Sequence, residues 1–146
     1  MTAVLDAEAD IRPVAQTALA MGAGIVLLKC GAPGMYLCAA KDKKKLSAIG
    51  DRLGQDGEAF AAAWAGQDHF EKSYHPDRVL SGTGAGDTSI AAFLKALSEG
   101  YAPAECLQLA AATGACCVAA YDTLSGLRTF DELRRRIAAG WTKIEK

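Results

Sequence analysis

The stretch SGTGAGDTSIAAFL, residues 81–94, constrains the fold more than any other part of the chain. Glycines at 82, 84 and 86 alternate with small residues, and Ile90, Phe93, Leu94 and Leu97 then recur at helical spacing until Gly100. Small residues let a backbone turn tightly with its N–H groups facing outward. A helix N-terminus adds roughly half a positive charge at the same spot. The combination is an anion hole suited to a phosphate. Asp87, at the opening of the helix, allows two readings. It is a cap, or it is a base that takes a proton from a hydroxyl while the backbone donors hold a phosphoryl group in transfer. G-x-G-x-x-G would need glycine at position 87, and G-x-x-x-x-G-K-[ST] occurs nowhere, so neither the dinucleotide fingerprint nor a Walker-type loop applies.

A length of 146 residues implies a single domain, 1–146. With 51% hydrophobic and 23% charged residues the composition is globular. Sixteen Lys plus Arg against 17 Asp plus Glu leave a net charge of -1, which removes the usual electrostatic case for nucleic acid or an anionic membrane as partner. The longest strongly apolar run, residues 24–28, is far short of the ~20 residues a bilayer span needs. MTAVLDAEAD has no basic start followed by an apolar core, so no secretion signal is expected and a cytoplasmic location is. Five cysteines, two of them adjacent and none in C-x-x-C spacing, fit neither a disulfide framework nor a thiolate metal site. His69 and His75 lie near no cysteine in sequence, so we expect no metal site and treat the thiols as small core residues.

Periodicity predicts an α/β order. Residues 9–21 read as a helix with Val14, Ala18 and Met21 on its inner face and Gly22 as the stop. Residues 25–30 form an apolar run expected of a strand buried on both faces. GAPG at 31–34 is a tight turn, 35–40 a second strand, and 41–45 a charged loop. Between 46 and 79 the pattern is weak, with helical character at 58–64 and a strand candidate at 70–74. Residues 105–120 make a helix rich in small residues, where Ala110, Ala111, Ala112, Gly114 and Ala115 would admit another backbone or a flat ligand. Thr129 and Glu132 form a capping box for a last helix with Leu133 and Ile137.

GTGAGDTSIAAFL resembles the second signature of the PfkB (ribokinase-like) carbohydrate kinases, in which a Gly-Ala-Gly-Asp turn opens a helix. VLLKCGAPGMYL is similar to that family's strand, K-x-G-x-x-G turn and strand, and YDTLSGLRTFDEL to its C-terminal end. The resemblance covers about residues 11–133. It implies the C-terminal part of a three-layer α/β/α ribokinase-like fold, with the N-terminal sheet and lid missing. It implies Asp87 as catalytic base and the N–H groups of Gly84, Ala85 and Gly86 as the anion hole. Nucleotide contacts would come from Lys29, Gly31, Gly34, Thr83, Ala111 and Gly114; read by itself, the Lys29 turn is equally an ordinary strand connection. ATP, Mg2+ and a sugar are the implied ligands, with no metal ligand identifiable in this chain. Ser81, Gly82 and Thr83 stand where the family commonly has Asp-Thr-Thr or Gly-Thr-Thr, so the resemblance by itself leaves potassium activation open. The family's glycine-rich first signature and Asn-x-x-Glu segment are not found; Gln55 to Glu58 has a similar spacing by coincidence. The implied partners are therefore a missing N-terminal half or a second copy, meeting the edge of the apolar strand at 25–28. An isolated chain of this kind is expected to turn over sugar weakly or not at all, and the alternative is a non-catalytic nucleotide-binding or interaction module.

Overall fold

Glycines and small capping side chains set where the chain turns in the computed structural model, which describes residues 7–122 and 124–144. Read from its length as one domain, the chain divides by its internal contacts into two compact units. The first is Met1–Cys30 with Met35–Phe70, and the second is Gly31–Gly34 with Glu71–Lys146.

The first unit holds helix α1 (Ala7–Ala20), strand β1 (Ile25–Lys29), most of strand β2 (Gly34–Ala39), helices α2 (Lys43–Arg52) and α3 (Gly57–Trp64), and the start of strand β3 (Asp68–Lys72). The sheet order is β1-β2-β3, with β1 and β2 antiparallel from Ile25 opposite Ala39 to Lys29 opposite Met35. All six residues of the central strand β2 are buried, whereas in β1 only Val26 is. The apolar run at 25–30, expected to be buried on both faces, is thus a half-exposed edge strand. Continuous burial belongs to β2, which has neighbours on both sides.

Helix α1 forms as expected but turns a different face inward. Ala15 is fully buried and Ile11, Ala18 and Leu19 pack with it over Val26, Tyr36 and Cys38. Val14 and Met21 are 58% and 84% exposed. The small Ala15 lets the helix approach the sheet closely, which rotates Val14 and Met21 out. The charged loop expected at 41–45 is the start of α2. Asp42 caps it by accepting from the N–H groups of Lys44 and Lys45 at 3.0 and 3.2 Å. Asp56 does the same for α3 through Ala59 N–H at 3.1 Å. The two helices pack through Gly50, where a Cβ would lie 2.6 Å from that of Phe60.

The second unit contains α4 (Ala85–Ser98), α5 (Pro103–Val118) and α6 (Phe130–Ala138). Helix α4 ends in a Schellman motif: Gly100 has φ +86°, its N–H donates to Leu97 O, and Tyr101 N–H donates to Ala96 O. The residues that bury α4 are Ser89, Ala92, Phe93 and Ala96. Ile90 and Leu94, which recur at helical spacing with Phe93, are 36% and 56% exposed. The small-residue face of α5 selects small residues on its partner, and the larger aliphatic side chains lie to one side. The Thr129–Glu132 cap of α6 forms, with Glu132 N–H donating to Thr129 Oγ1 at 3.2 Å, and Leu133 is buried. Cys38, Cys106, Cys116 and Cys117 are buried.

A candidate phosphoryl site at the start of helix α4

The turn leading into α4 is anchored at the end of α5. Val118 O accepts from the N–H groups of Leu80 and Ser81 at 2.8 and 3.3 Å, and the Cys117 thiol points at Thr83 O at 3.9 Å. Gly84 is the N-cap with φ +81°, a left-handed conformation that L side chains rarely adopt. This turns the following peptides so that they begin the helix.

The carbonyls and amides of the turn then divide. Gly84 O accepts from Thr88 N–H at 2.9 Å, while Ala85 O accepts from the Ser89 and Thr88 hydroxyls at 2.8 and 3.1 Å. Gly82 O accepts from Ala85 N–H at 3.4 Å, a long contact that holds this donor weakly. Thr83 N–H donates to Ser81 Oγ at 3.2 Å. The N–H groups of Gly84, Gly86 and Asp87 have no acceptor among the described residues. The carbonyls of Gly82, Gly84 and Ala85 are thus used by the protein, while the donors of Gly84, Gly86 and Asp87 are left over.

Asp87 is exposed, and its carboxylate makes no hydrogen bond or ion pair among the described residues. It is the third residue of the helix rather than its cap, and it does not reach back to the Gly84 N–H as a capping-box carboxylate would. No side-chain cap hydrogen bond closes this helix start. Helices α2, α3 and α6 each close their first turn with a side chain; α4 leaves its own open.

The other expected nucleotide residues are dispersed. Thr83 is exposed in the turn itself. Gly114 and Ala111 lie on α5, where a Cβ on Gly114 would sit 2.5 Å from Ser89 Oγ and Ala111 is only 7% exposed. The small residue at 114 admits α4, so helix packing accounts for it without a flat ligand. Lys29 is exposed at the end of β1, in the first unit, while Gly31 and Gly34 fall in the second. Gly31 has φ +68° and Gly34 N–H closes the turn onto Gly31 O at 3.2 Å. Gly34 also brings β2 against β3, since a Cβ there would lie 2.1 Å from Glu71 O. Sequence reading missed Ser89 and Cys117, which tie the turn's carbonyls back. The signal for Ser89 is a polar residue in register with the small-residue face of α5.

With this turn in hand, the comparison with known proteins is decisive: residues 1–129 match the pfkB family carbohydrate kinases. The chain belongs to that family. The pfkB-type chain also shares its fold with solved kinases. Arabidopsis thaliana ribokinase complexed with ribose and ATP aligns at 24% identity and a TM-score of 0.62, over 86% of this chain and 32% of that one. A putative ribokinase II of E. coli in complex with ATP and Mg2+ aligns at 21% identity and 0.64, over 87% and 33%. The nucleoside kinase of Methanocaldococcus jannaschii aligns at 22% identity and 0.59, over 80% and 30%. The chain spans about a third of the length of these kinases. No curated protein matches it. Among the described residues no helix is long and apolar enough to cross a membrane.

Proposed function

We propose that this chain carries the phosphoryl-transfer turn of a carbohydrate kinase, in which the γ-phosphoryl group of ATP passes to a hydroxyl of a sugar or sugar-like alcohol. The observation that carries this reading is the set of N–H groups at Gly84, Gly86 and Asp87 that have no acceptor among the described residues, beside an Asp87 carboxylate with no partner there. A phosphoryl group fits such a cradle, because its oxygens accept hydrogen bonds and its charge is favoured at a helix N-terminus.

In this reading the N–H groups of Gly84 and Gly86 hold the oxygens of the transferring group. Ala85 N–H joins them by exchanging its long bond to Gly82 O for a shorter one. Asp87 accepts the proton of the attacking hydroxyl, and its exposure leaves it within reach of a substrate. The Gly84 and Gly86 donors, already without an acceptor among the described residues, stabilise the developing charge without reorganising. Magnesium, which accompanies nucleoside triphosphates, supplies charge neutralisation on the phosphate oxygens when bound. Thr83 would border the phosphates, and Lys29 with Gly31 and Gly34 would contact the nucleotide. Ala111 and Gly114 enter less directly, by setting how closely α4 approaches α5. ATP as donor makes the cytoplasm the expected compartment.

Two-thirds of the relatives' length has no counterpart in this chain, so we expect little sugar turnover by the chain alone. Substrate positioning is a large part of any rate enhancement. The outer edge of β1 is where a strand from an N-terminal polypeptide or a second copy would add. A non-catalytic nucleotide-binding module is the second reading, favoured by the same span. The test is ATP-dependent phosphorylation of a panel of pentoses, hexoses and nucleosides, by the chain alone and completed with the N-terminal two-thirds of a ribokinase. The proposal expects activity only in the completed form, and its loss by about a thousandfold in Asp87→Asn with nucleotide affinity retained. Full activity of the completed Asp87→Asn form would remove the base assignment.

A further inference from the structure

The second unit contains a cavity of about 390 Å3 that the phosphoryl turn does not use. It lies between the last turn of α5, the loop that follows it, the segment before Ser81, and α6. Three arginines from separate segments line it: Arg78, Arg128 and Arg136.

Carboxylates answer these groups unequally: Arg136 and Arg128 each have one, Arg136 also lies 3.6 Å over the Trp141 ring, and Arg78 has no ion pair among the described residues. Arg136 Nη2 donates to Asp77 Oδ1 at 2.6 Å, and the Asp77 side chain is 71% exposed at the rim. Arg78 Nε donates to Ala119 O at 3.2 Å. Arg128 Nη1 donates to Leu127 O at 2.9 Å and to Ser125 O at 3.3 Å. Arg128 Nε also forms a long ion pair with Glu132 Oε2 at 3.9 Å, both side chains about half exposed. Asp122, also on the wall, spends its carboxylate on its own loop, accepting from the N–H groups of Leu124 and Ser125 at 2.8 and 2.6 Å. Carbonyl acceptors satisfy a donor without neutralising its charge. Each guanidinium also keeps N–H groups beyond those its protein partners use, arranged in the fork that matches oxyanions.

Cys116 lines the same cavity and is 8% exposed. Burial pushes its thiol pKa up, Arg136 and Arg128 pull it down, and Asp77 and Glu132 push it up again, so cations and carboxylates both act on this wall of the cavity. A purely architectural role is available to every arginine, since one caps α5, one staples a loop and one ties the Asp77 segment to α6. Such roles do not explain why all three side chains converge on one polar-walled space large enough for a small molecule.

We propose that this cavity is a second binding site, separate from the α4 turn, for a small doubly charged oxyanion of the phosphate-ester or dicarboxylate class. Arg78 and Arg128 grip it, and Arg136 joins by sharing its bond with Asp77. The proposal stands whether or not the α4 turn transfers phosphate.

The experiment is a titration of the whole chain with inorganic phosphate at fixed ionic strength, followed by backbone amide and arginine Nε NMR shifts. Saturable shifts at residues 119–128 and at the Arg78 and Arg128 side chains are expected, with chloride giving none. Arg128→Gln should weaken them about tenfold and Arg128→Lys less. Asp87→Asn should leave them unchanged, which separates this cavity from the α4 turn. Arg78→Gln serves as a second probe if Arg128→Gln loses the native spectrum. Shifts that never saturate, that persist at full affinity in these variants, or that are confined to residues 82–87 would overturn the proposal.

Discussion

Gly34 sits where the fold and the proposed nucleotide turn meet, and replacing it separates the two roles. Its φ is +135°, and an added Cβ would lie 2.1 Å from Glu71 O and 3.0 Å from Lys72 Cα. Both obstacles are backbone, which cannot swing aside as a side chain can. A strained φ costs about 1–3 kcal/mol and an overpacked contact about 1–3 kcal/mol more. Gly34→Ala should therefore lose about 4 kcal/mol, a large share of the ~5–15 kcal/mol typical of a domain. Gly31 is the internal control, with φ +68° and nothing within 4 Å of an added Cβ. Gly31→Ala should lose only the left-handed penalty, about 1 kcal/mol. Urea unfolding at an m-value of about 2 kcal/mol/M would read midpoint shifts of about 2 M and 0.5 M. Equal shifts for the two variants would refute the claim that the β2–β3 approach, rather than the turn, demands glycine at 34. Lost nucleotide binding in Gly34→Ala would then report a broken sheet, whereas in Gly31→Ala it would report the turn.

Thr129→Ala should cost about 1 kcal/mol by removing the acceptor for Glu132 N–H, read as a lower thermal midpoint with no change at the α4 turn. Burial raises the thiol of Cys106 to about 12, with Glu105 adding to the effect, so the folded state holds a proton that the unfolded state releases above about pH 9. Stability from this group is complete below pH 9 and is lost as pH rises towards 12, at no more than about 1.4 kcal/mol per pH unit. Cys106→Ala should flatten that alkaline decline in urea midpoints, and an unchanged slope would count against it. Ser89→Ala should free Ala85 O from the Ser89 hydroxyl and open space beside Gly114. We expect a loss of about 1 kcal/mol and weaker nucleotide binding, by calorimetry, if that carbonyl's tie helps present the turn's donors.

The phosphoryl turn was legible because its chemistry is local. Alternating glycines and a following amphipathic run dictate a tight turn and a helix start whatever surrounds them. The capping box of α6 was legible for the same reason. Helix α2 was hidden because KDKKK reads as a solvated loop until Asp42 is recognised as an N-cap with its acceptor turned to Lys44 and Lys45. The inward face of α1 was misjudged, and helical spacing alone does not give that of α4, because an alanine–glycine interface favours close approach over large side chains. In such packing Ala15 and Ala96 are fully buried, while Val14 and Leu94 face solvent. The arginine cavity draws on positions 78, 128 and 136, too far apart in sequence for any spacing rule to join them.

The central claim is that the amides of residues 84–86 meet a phosphoryl group beside a free carboxylate. An amide-resolved titration of the full chain with a magnesium–ATP analogue that cannot be hydrolysed tests it most directly. The account predicts saturable shifts at Gly84, Ala85 and Gly86, preserved in Asp87→Asn and lost when Gly84→Ala disturbs the left-handed cap. Saturable binding that leaves those three amides unmoved would contradict it.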